Sequence, residues 1–209
     1  MNYIFYIITV LESNERTANV HDLKDKLEKL GHRVEIIPAF YHKTCNVHEL
    51  LCQNNITYNG LTWTPGIQYV TPGELCCFLS HHKAWKHVAD ANSDDVHIIL
   101  EDDMNINHEC SLYDFNHAPE YDSIVLYRHP TQKNTPVTYA KEGLLHFYWQ
   151  WGLNAYAITP TFAKELLTSI THIEEPVDIV LHGHIFPRKR VYVVENEYFK
   201  DIGMQSVRI

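Results

Sequence analysis

The eight residues Val96-His97-Ile98-Ile99-Leu100-Glu101-Asp102-Asp103 constrain this 209-residue chain more than any other stretch. A short run dominated by β-branched and aliphatic side chains reads as a strand buried on both faces, the kind found inside parallel sheets. Three acids follow with no spacer. In open α/β sheets ligands sit beyond the carboxyl ends of the strands, so these acids fall where a site is built. Adjacent carboxylates repel one another unless a cation neutralises them, and hard divalent cations such as Mg2+ or Mn2+ take oxygen ligands. A cation held by one or two carboxylates and shared with a substrate diphosphate is a common arrangement in phosphate chemistry. An acidic turn after a strand is the plain alternative.

Upstream lies Thr71-Pro72-Gly73-Glu74-Leu75-Cys76-Cys77-Phe78-Leu79-Ser80-His81-His82-Lys83-Ala84-Trp85. Thr71 with Glu74 three residues later forms a capping box, and Pro72 takes the first helical position. Leu75, Phe78, Leu79, Trp85, Val88 and Ala89 recur at helical spacing, which predicts a helix over about Pro72 to Ala89. With Gly73, Glu74, Cys77, Ser80, His81, Trp85 and Glu101-Asp102-Asp103 in place, the chain resembles glycosyltransferase family 25, the lipooligosaccharide-biosynthesis galactosyltransferases and their relatives. The resemblance extends along the chain. Tyr3 to Val10 with Glu15-Arg16 matches an opening strand and its turn. Glu35 to Ala39 matches a second strand, and Tyr121 to Tyr127 a later one. Gly152 to Ile158 with Leu166-Leu167 matches a strand and helix, and Pro176-Val177-Asp178 a late P-x-D. Cys76 stands where glycine is usual and Leu153 where threonine is common.

Composition narrows the alternatives. Hydrophobic residues make up 45% of the chain and aromatics 12%, which excludes general disorder. The length suits one domain, residues 1–209. The net charge of −9 argues against a nucleic-acid partner. Arg188-Lys189-Arg190, the one basic cluster, either solvates a strand start or touches a diphosphate or an anionic membrane, so membrane contact is expected to be peripheral at most. The five cysteines are odd in number and unevenly spaced, and read as reduced thiols. The apolar opening Tyr3 to Ile8 lacks a basic lead and reads as a first strand, so a cytoplasmic location is expected, at most at the inner face of a membrane.

Val20, Leu23, Leu27 and Leu30 form a stripe that Gly31 closes, and a strand from about Arg33 to Ile37 follows; this βαβ unit implies a parallel sheet core. Residues from about 40 to 70 show no period, and by resemblance they form a flexible flap at the donor site. Residues of about 128–152 form a second irregular segment, expected on the acceptor side. Later elements are a strand near Asn154 to Ile158, a helix after Thr159-Pro160, a short helix from Pro176, a strand near Val191 to Val194 and an irregular tail. The fold class expected from the resemblance is α/β: a GT-A-type, Rossmann-like single domain with a mostly parallel sheet flanked by helices.

Glycosyl transfer from a nucleotide sugar builds charge on a leaving diphosphate, so a metal or cationic clamp is the main electrostatic aid. Glu101 and Asp103 are the outer pair of a D-x-D-like motif, with Asp103 the expected direct ligand of Mn2+ or Mg2+ and Glu101 a ligand or an orienting group. Asp102 either contacts the donor or is solvated. Asp178 is the expected general base by its match to the family's P-x-D; a dipole-complementing acid at a helix start is the alternative. Ser80 and His81 either touch the nucleotide or brace the acidic loop, and a buried histidine bonded to backbone is a third possibility. Arg16 meets a phosphate or uracil, or starts a helix in solvent. His182 and His184 are read as packed or solvated rather than as metal ligands. Tyr148, Trp149 and Trp151 could form a sugar platform, with one or two of them in the core.

The resemblance implies a UDP-hexose donor, with galactose as the sugar, and a saccharide acceptor such as lipooligosaccharide or lipopolysaccharide; direct attack implies inversion and a β-galactoside. Two alternatives use the same acids: a metal-dependent hydrolase of nucleotide sugars or phosphodiesters, and a catalytically silent sugar-nucleotide-binding protein. The oligomeric state is open.

Overall fold

The structure is a computed structural model, and it describes residues 2–58, 70–91, 93–133 and 135–204. The chain begins as the βαβ unit foreseen from its periodicity: β1 (Tyr3–Thr9), α1 (Asn14–Lys29) and β2 (Arg33–Pro38). Ser13 caps α1 by accepting from the Arg16 amide, and Gly31 leaves the helix at φ +87, a left-handed conformation that favours glycine. Next come α2 (Val47–Gln53) and the two-residue β3 (Thr57–Tyr58). Both lie inside the segment expected to be a flexible flap, whose residues 59–69 fall outside the described ones.

Helix α3 (Pro72–Ala89) has the predicted bounds, because its stop and start signals are local: the Thr71–Glu74 capping box is formed reciprocally and Pro72 follows the cap. It feeds β4 (Val96–Glu101), then β5 (Met104–Ile106) and β6 (Ser123–Val125). The rest comprises β7 (Tyr139–Lys141), β8 (Leu144–His146), β9 (Ala155–Ile158), α4 (Pro160–Ser169), β10 (His172–Ile173), α5 (Val177–Ile179) continuing as a π-turn over Val180–Ile185, β11 (Val191–Val194) and β12 (Phe199–Asp201).

Eight strands form one mixed sheet in the order β2-β1-β4-β9-β6-β11-β8-β7. The pairings give β2, β1, β4, β6, β11 and β7 one direction, and β9 and β8 the other. The α/β class with a largely co-directional, helix-flanked sheet therefore stands, and it is mixed rather than purely parallel. Side chains alternate across it: Ile4, Tyr6 and Ile8 pack with α3 and α4, whereas Phe5 and Ile7 pack with Val20, Leu23 and Leu27 of α1.

Strand order sets the site. From β1 the chain moves to β2 on one side and then returns to β4 on the other, so the order reverses between β1 and β4. A crevice opens at such a switch point beyond the carboxyl ends of the strands. Because β9 runs antiparallel, its start lies at the same edge; the Glu101 amide donates to the Asn154 carbonyl at 2.8 Å. The tail is not wholly irregular, since β12 pairs antiparallel with β5 and carries Asp201 to this edge.

Candidate active site

A cleft of about 500 Å³ lies over the switch point, and Arg16, Ser80, His81, Glu101, Asp102, Asp103 and Asp178 all line it. The residues singled out from the sequence are thus brought together. Their surroundings give them different work.

Asp102 is buried. One of its oxygens is ion-paired with the buried Arg16 guanidinium, and Oδ2 accepts from the Val10 amide at 3.1 Å. This ties the residue after β4 to the one after β1 and to α1, across the switch point. Asn19 adds a clamp, donating to the carbonyls of Asp102 and Met104 at 2.7 and 3.1 Å. Neither Arg16 nor Asp102 is solvated, so those alternatives are corrected: burial selects a pair. Burial raises the Asp102 carboxyl pKa, and the Arg16 charge opposes that rise.

Asp103 differs. Its Oδ1 is buried with no hydrogen-bond partner among the described residues. Burial first, then the charges of Glu101, Asp201 and Asp102, push its carboxyl up to about 7. Asp201 escaped the sequence reading; its backbone neighbour Ile202 donates to the Asp103 carbonyl at 2.9 Å.

Glu101 is held by α3. His81 Nε2 lies 3.1 Å from Glu101 Oε1, and His81 Nδ1 lies 3.0 Å from the Tyr156 hydroxyl, which accepts from Trp85 Nε1 at 2.8 Å. Burial keeps the Tyr156 phenol protonated, with a pKa well above its ordinary value. Its proton points to Nδ1, which leaves Nε2–H to donate to Glu101. The His81 contacts are to side chains, Glu101 of the acidic run and Tyr156, rather than to backbone. Ser80 braces a different wall: it donates to the Cys76 carbonyl at 2.7 Å and accepts from the Phe40 amide at 2.9 Å. Phe40, Tyr41 and His42 line the cleft from there.

Asp178 sits at the start of α5, buried, with Oδ2 accepting from the Gly152 amide at 3.1 Å and Oδ1 buried without a partner among the described residues. Gly152 has φ +75, a left-handed conformation that favours glycine, and a Cβ there would displace the Asn154 side chain, whose Oδ1 would lie 2.3 Å away. His182 is fully buried between Phe147 and Phe186, with Nδ1 2.6 Å from the Gln150 carbonyl, and His184 is exposed beside Glu175; neither lines the cleft. Trp151 is 47% exposed and lines the cleft with Trp149 edge-on at 4.4 Å, while Tyr148 packs against the core. In the basic cluster, Lys189 pairs with Glu165 and Arg190 with Glu120 and Asp122.

The sequence model of glycosyltransferase family 25 (LPS biosynthesis protein) matches residues 2–181. The chain belongs to glycosyltransferase family 25. It is 29% identical over 163 residues to procollagen galactosyltransferase 1-B of Xenopus laevis, covering 70% of this chain and 25% of that protein. It is 24% identical over 195 residues to a glycosyltransferase 25 family member of Drosophila pseudoobscura pseudoobscura, covering 85% and 30%. The chain thus spans about a quarter to a third of the length of these curated relatives. Among solved structures it is similar to a glycosyltransferase involved in the glycosylation of the major capsid of PBCV-1, with a TM-score of 0.52 at 9% identity over 99% of this chain and 95% of that one. At that identity the likeness speaks for the fold alone. Among the described residues no helix is long and apolar enough to cross a membrane.

Proposed function

We propose that this family 25 member is a metal-dependent, inverting glycosyltransferase that moves a hexose, galactose, from a UDP-sugar to a hydroxyl of a saccharide or glycoconjugate acceptor. One observation carries the reading: two buried carboxylate oxygens without partners among the described residues, Asp103 Oδ1 and Asp178 Oδ1, belong to residues lining one cleft. A carboxylate left unpartnered inside a protein costs free energy unless a ligand meets it.

The Asp103 side fits a divalent cation. Its carboxyl is raised by burial and by neighbouring acids, and oxygen-only donors suit Mn2+ or Mg2+. Asp103 and Glu101 would hold the ion, with Asp201 beside them. Such an ion supplies charge neutralisation for a diphosphate leaving group. His81 orients Glu101, and the Arg16–Asp102 pair fixes the loop that presents both acids. The Phe40 to His42 wall belongs to the proposed donor flap.

The Asp178 side fits a base. The Gly152 amide fixes Oδ2, which leaves Oδ1 to accept the proton of an acceptor hydroxyl as its oxygen attacks the anomeric carbon. The C–O bond to the diphosphate breaks as the new bond forms on the opposite face, so the anomeric centre inverts. Trp151 offers an indole face to a sugar ring, consistent with an acceptor-side role for residues of about 128–152. The family description names LPS biosynthesis and the Xenopus relative is named for procollagen. The chemistry shared by both acceptors is an attacking hydroxyl; lipopolysaccharide is the proposed one. A cytoplasmic location with at most peripheral membrane contact belongs to the same proposal.

Thermal unfolding with UDP-galactose, with and without Mn2+, tests the reading. Saturation to about 100 times Kd stabilises the fold by about 2.7 kcal/mol. The expected result is stabilisation that requires the cation, and galactose transfer to a supplied acceptor. No binding under either condition would overturn the proposal, and release of free galactose without transfer would make the protein a hydrolase.

A further inference from the structure

A second donor set, of different chemistry, stands beside the oxygen-rich acids. Cys77 and His81 are four residues apart on α3 and share one face of it, and Glu101 ends β4 next to them. Glu101 Oε1 is 3.1 Å from His81 Nε2 and 4.0 Å from Cys77 Sγ, and the three ligand atoms lie within 4.8 Å of one another. We propose that Cys77, His81 and Glu101 form a binding site for a thiophilic divalent cation, Zn2+ foremost, which shares only Glu101 with the oxygen site around Asp103.

The distances suit the ion. Bonds of about 2.0–2.3 Å in tetrahedral geometry put ligand atoms roughly 3.4–3.6 Å apart, so side-chain adjustments of about 1 Å close the site. The donor types also suit it, because thiolate and imidazole favour Zn2+ over Mg2+ or Mn2+. His81 is already steered through its other nitrogen by the Tyr156 hydroxyl, as metal-binding histidines are by their outer partners. Cys77 and Glu101 are half-buried and line the cleft, so a fourth position opens toward it. Binding displaces protons: the Cys77 thiol gives one to solvent, and the imidazole proton moves from Nε2 to Nδ1, where the Tyr156 oxygen accepts it as the hydroxyl proton rotates off Nδ1. The site stands without the transferase reading. If that reading holds, Zn2+ withdraws Glu101 from the oxygen site and suppresses transfer.

Cobalt titration of the full chain tests the proposal, in a phosphine reductant and without nucleotide. The expected result is one Co2+ per chain, a thiolate-to-cobalt charge-transfer band, and its displacement by Zn2+. Cys77→Ser should abolish the band. Cys52→Ser should keep it, although Cys52 Sγ lies 3.8 Å from His48 Nε2, and Asp103→Asn should keep it too. Tyr156→Phe should weaken Zn2+ on the order of ten- to a hundredfold. Should Cys77→Ser fail to fold, alkylation mapped by mass spectrometry in the wild-type chain reads the same contact, with Zn2+ protecting Cys77. Absence of the band, its survival in folded Cys77→Ser, its loss in Cys52→Ser or Asp103→Asn, or unprotected Cys77 would each overturn the proposal. Failure of sugar transfer would leave it standing.

Discussion

Replacing Asp102 by Asn should destabilise the protein by about 3–5 kcal/mol, and the burial of the Arg16–Asp102 pair fixes that magnitude. Exposed ion pairs contribute about 0–1 kcal/mol, whereas breaking a buried one leaves an uncompensated charge at about 3–5 kcal/mol. The two side chains are 8% and 6% exposed, which puts this pair in the second class. Asparagine keeps an oxygen for the Val10 amide, so the loss isolates the charge. For a domain of this size each kcal/mol moves Tm by about 2–4 °C, which gives a fall of roughly 6–20 °C. Circular dichroism during thermal and urea unfolding measures it. Adding Arg16→Met to Asp102→Asn removes the second charge and should recover part of the loss, because no uncompensated charge then stays buried. A Tm within about 2 °C of wild type for Asp102→Asn would return the pair to the surface class and refute the bracing role.

Asp103→Asn should leave the fold intact, raise the stability of the cation-free protein by removing one of the facing acids, and abolish the Mn2+ dependence of UDP binding; calorimetric titration showing unchanged, cation-dependent binding would remove Asp103 from the site. Asp178→Asn should retain donor binding and lose on the order of a hundred- to ten-thousandfold in kcat, and near-normal turnover would return Asp178 to a helix-start role. With UDP-α-galactose as donor, the anomeric proton coupling of the product should report a β-galactoside, and an α-linked product defeats the single-base mechanism. Burial depresses the His82 imidazole to about 4, so the unfolded chain takes up this proton first and stability falls as pH drops from about 6.5 toward 4. The raised carboxyls of Asp102 and Asp103 act in the opposite sense, gaining stability on acidification. The difference against His82→Gln cancels them: the variant should lose about 1 kcal/mol less than wild type between pH 7 and 5, allowing for residual hydration, and an equal or larger loss would be the contrary result.

What the sequence made legible was whatever local chemistry specifies. The cap, proline and apolar spacing of α3 lie within one segment, and the aliphatic run of β4 needs no partner to be read. The strands β5 and β12 have three residues each and exist because they pair across about ninety-five positions, so neither carries a period, and Asp201 went unseen with them. Helix α2 has seven residues, too few to show a stripe. The ion pair that buries Arg16 spans 86 positions, and only the switch point between β1 and β4 brings its partners together. The π-turn over Val180–Ile185, which no local signal marks, carries His182 to the Gln150 carbonyl.

The acidic triplet shows how three like residues come to do unlike work. Side chains alternate along a strand, so Glu101 shares the face of Ile99, toward α3, while Asp102 shares the face of Leu100, toward α1. Each therefore meets what its own helix offers: the imidazole of His81 for Glu101, and the guanidinium of Arg16 for Asp102. Asp103 falls past the end of the strand, where no described residue bonds Oδ1, and it keeps a raised pKa instead. The partner each acid has, more than its charge, separates support from binding. The middle acid is committed to the scaffold and can give little to a ligand without costing stability. The third gives stability only when a ligand arrives. Asp102→Asn and Asp103→Asn should therefore move the cation-free Tm in opposite directions, although they are the same chemical change at adjacent positions.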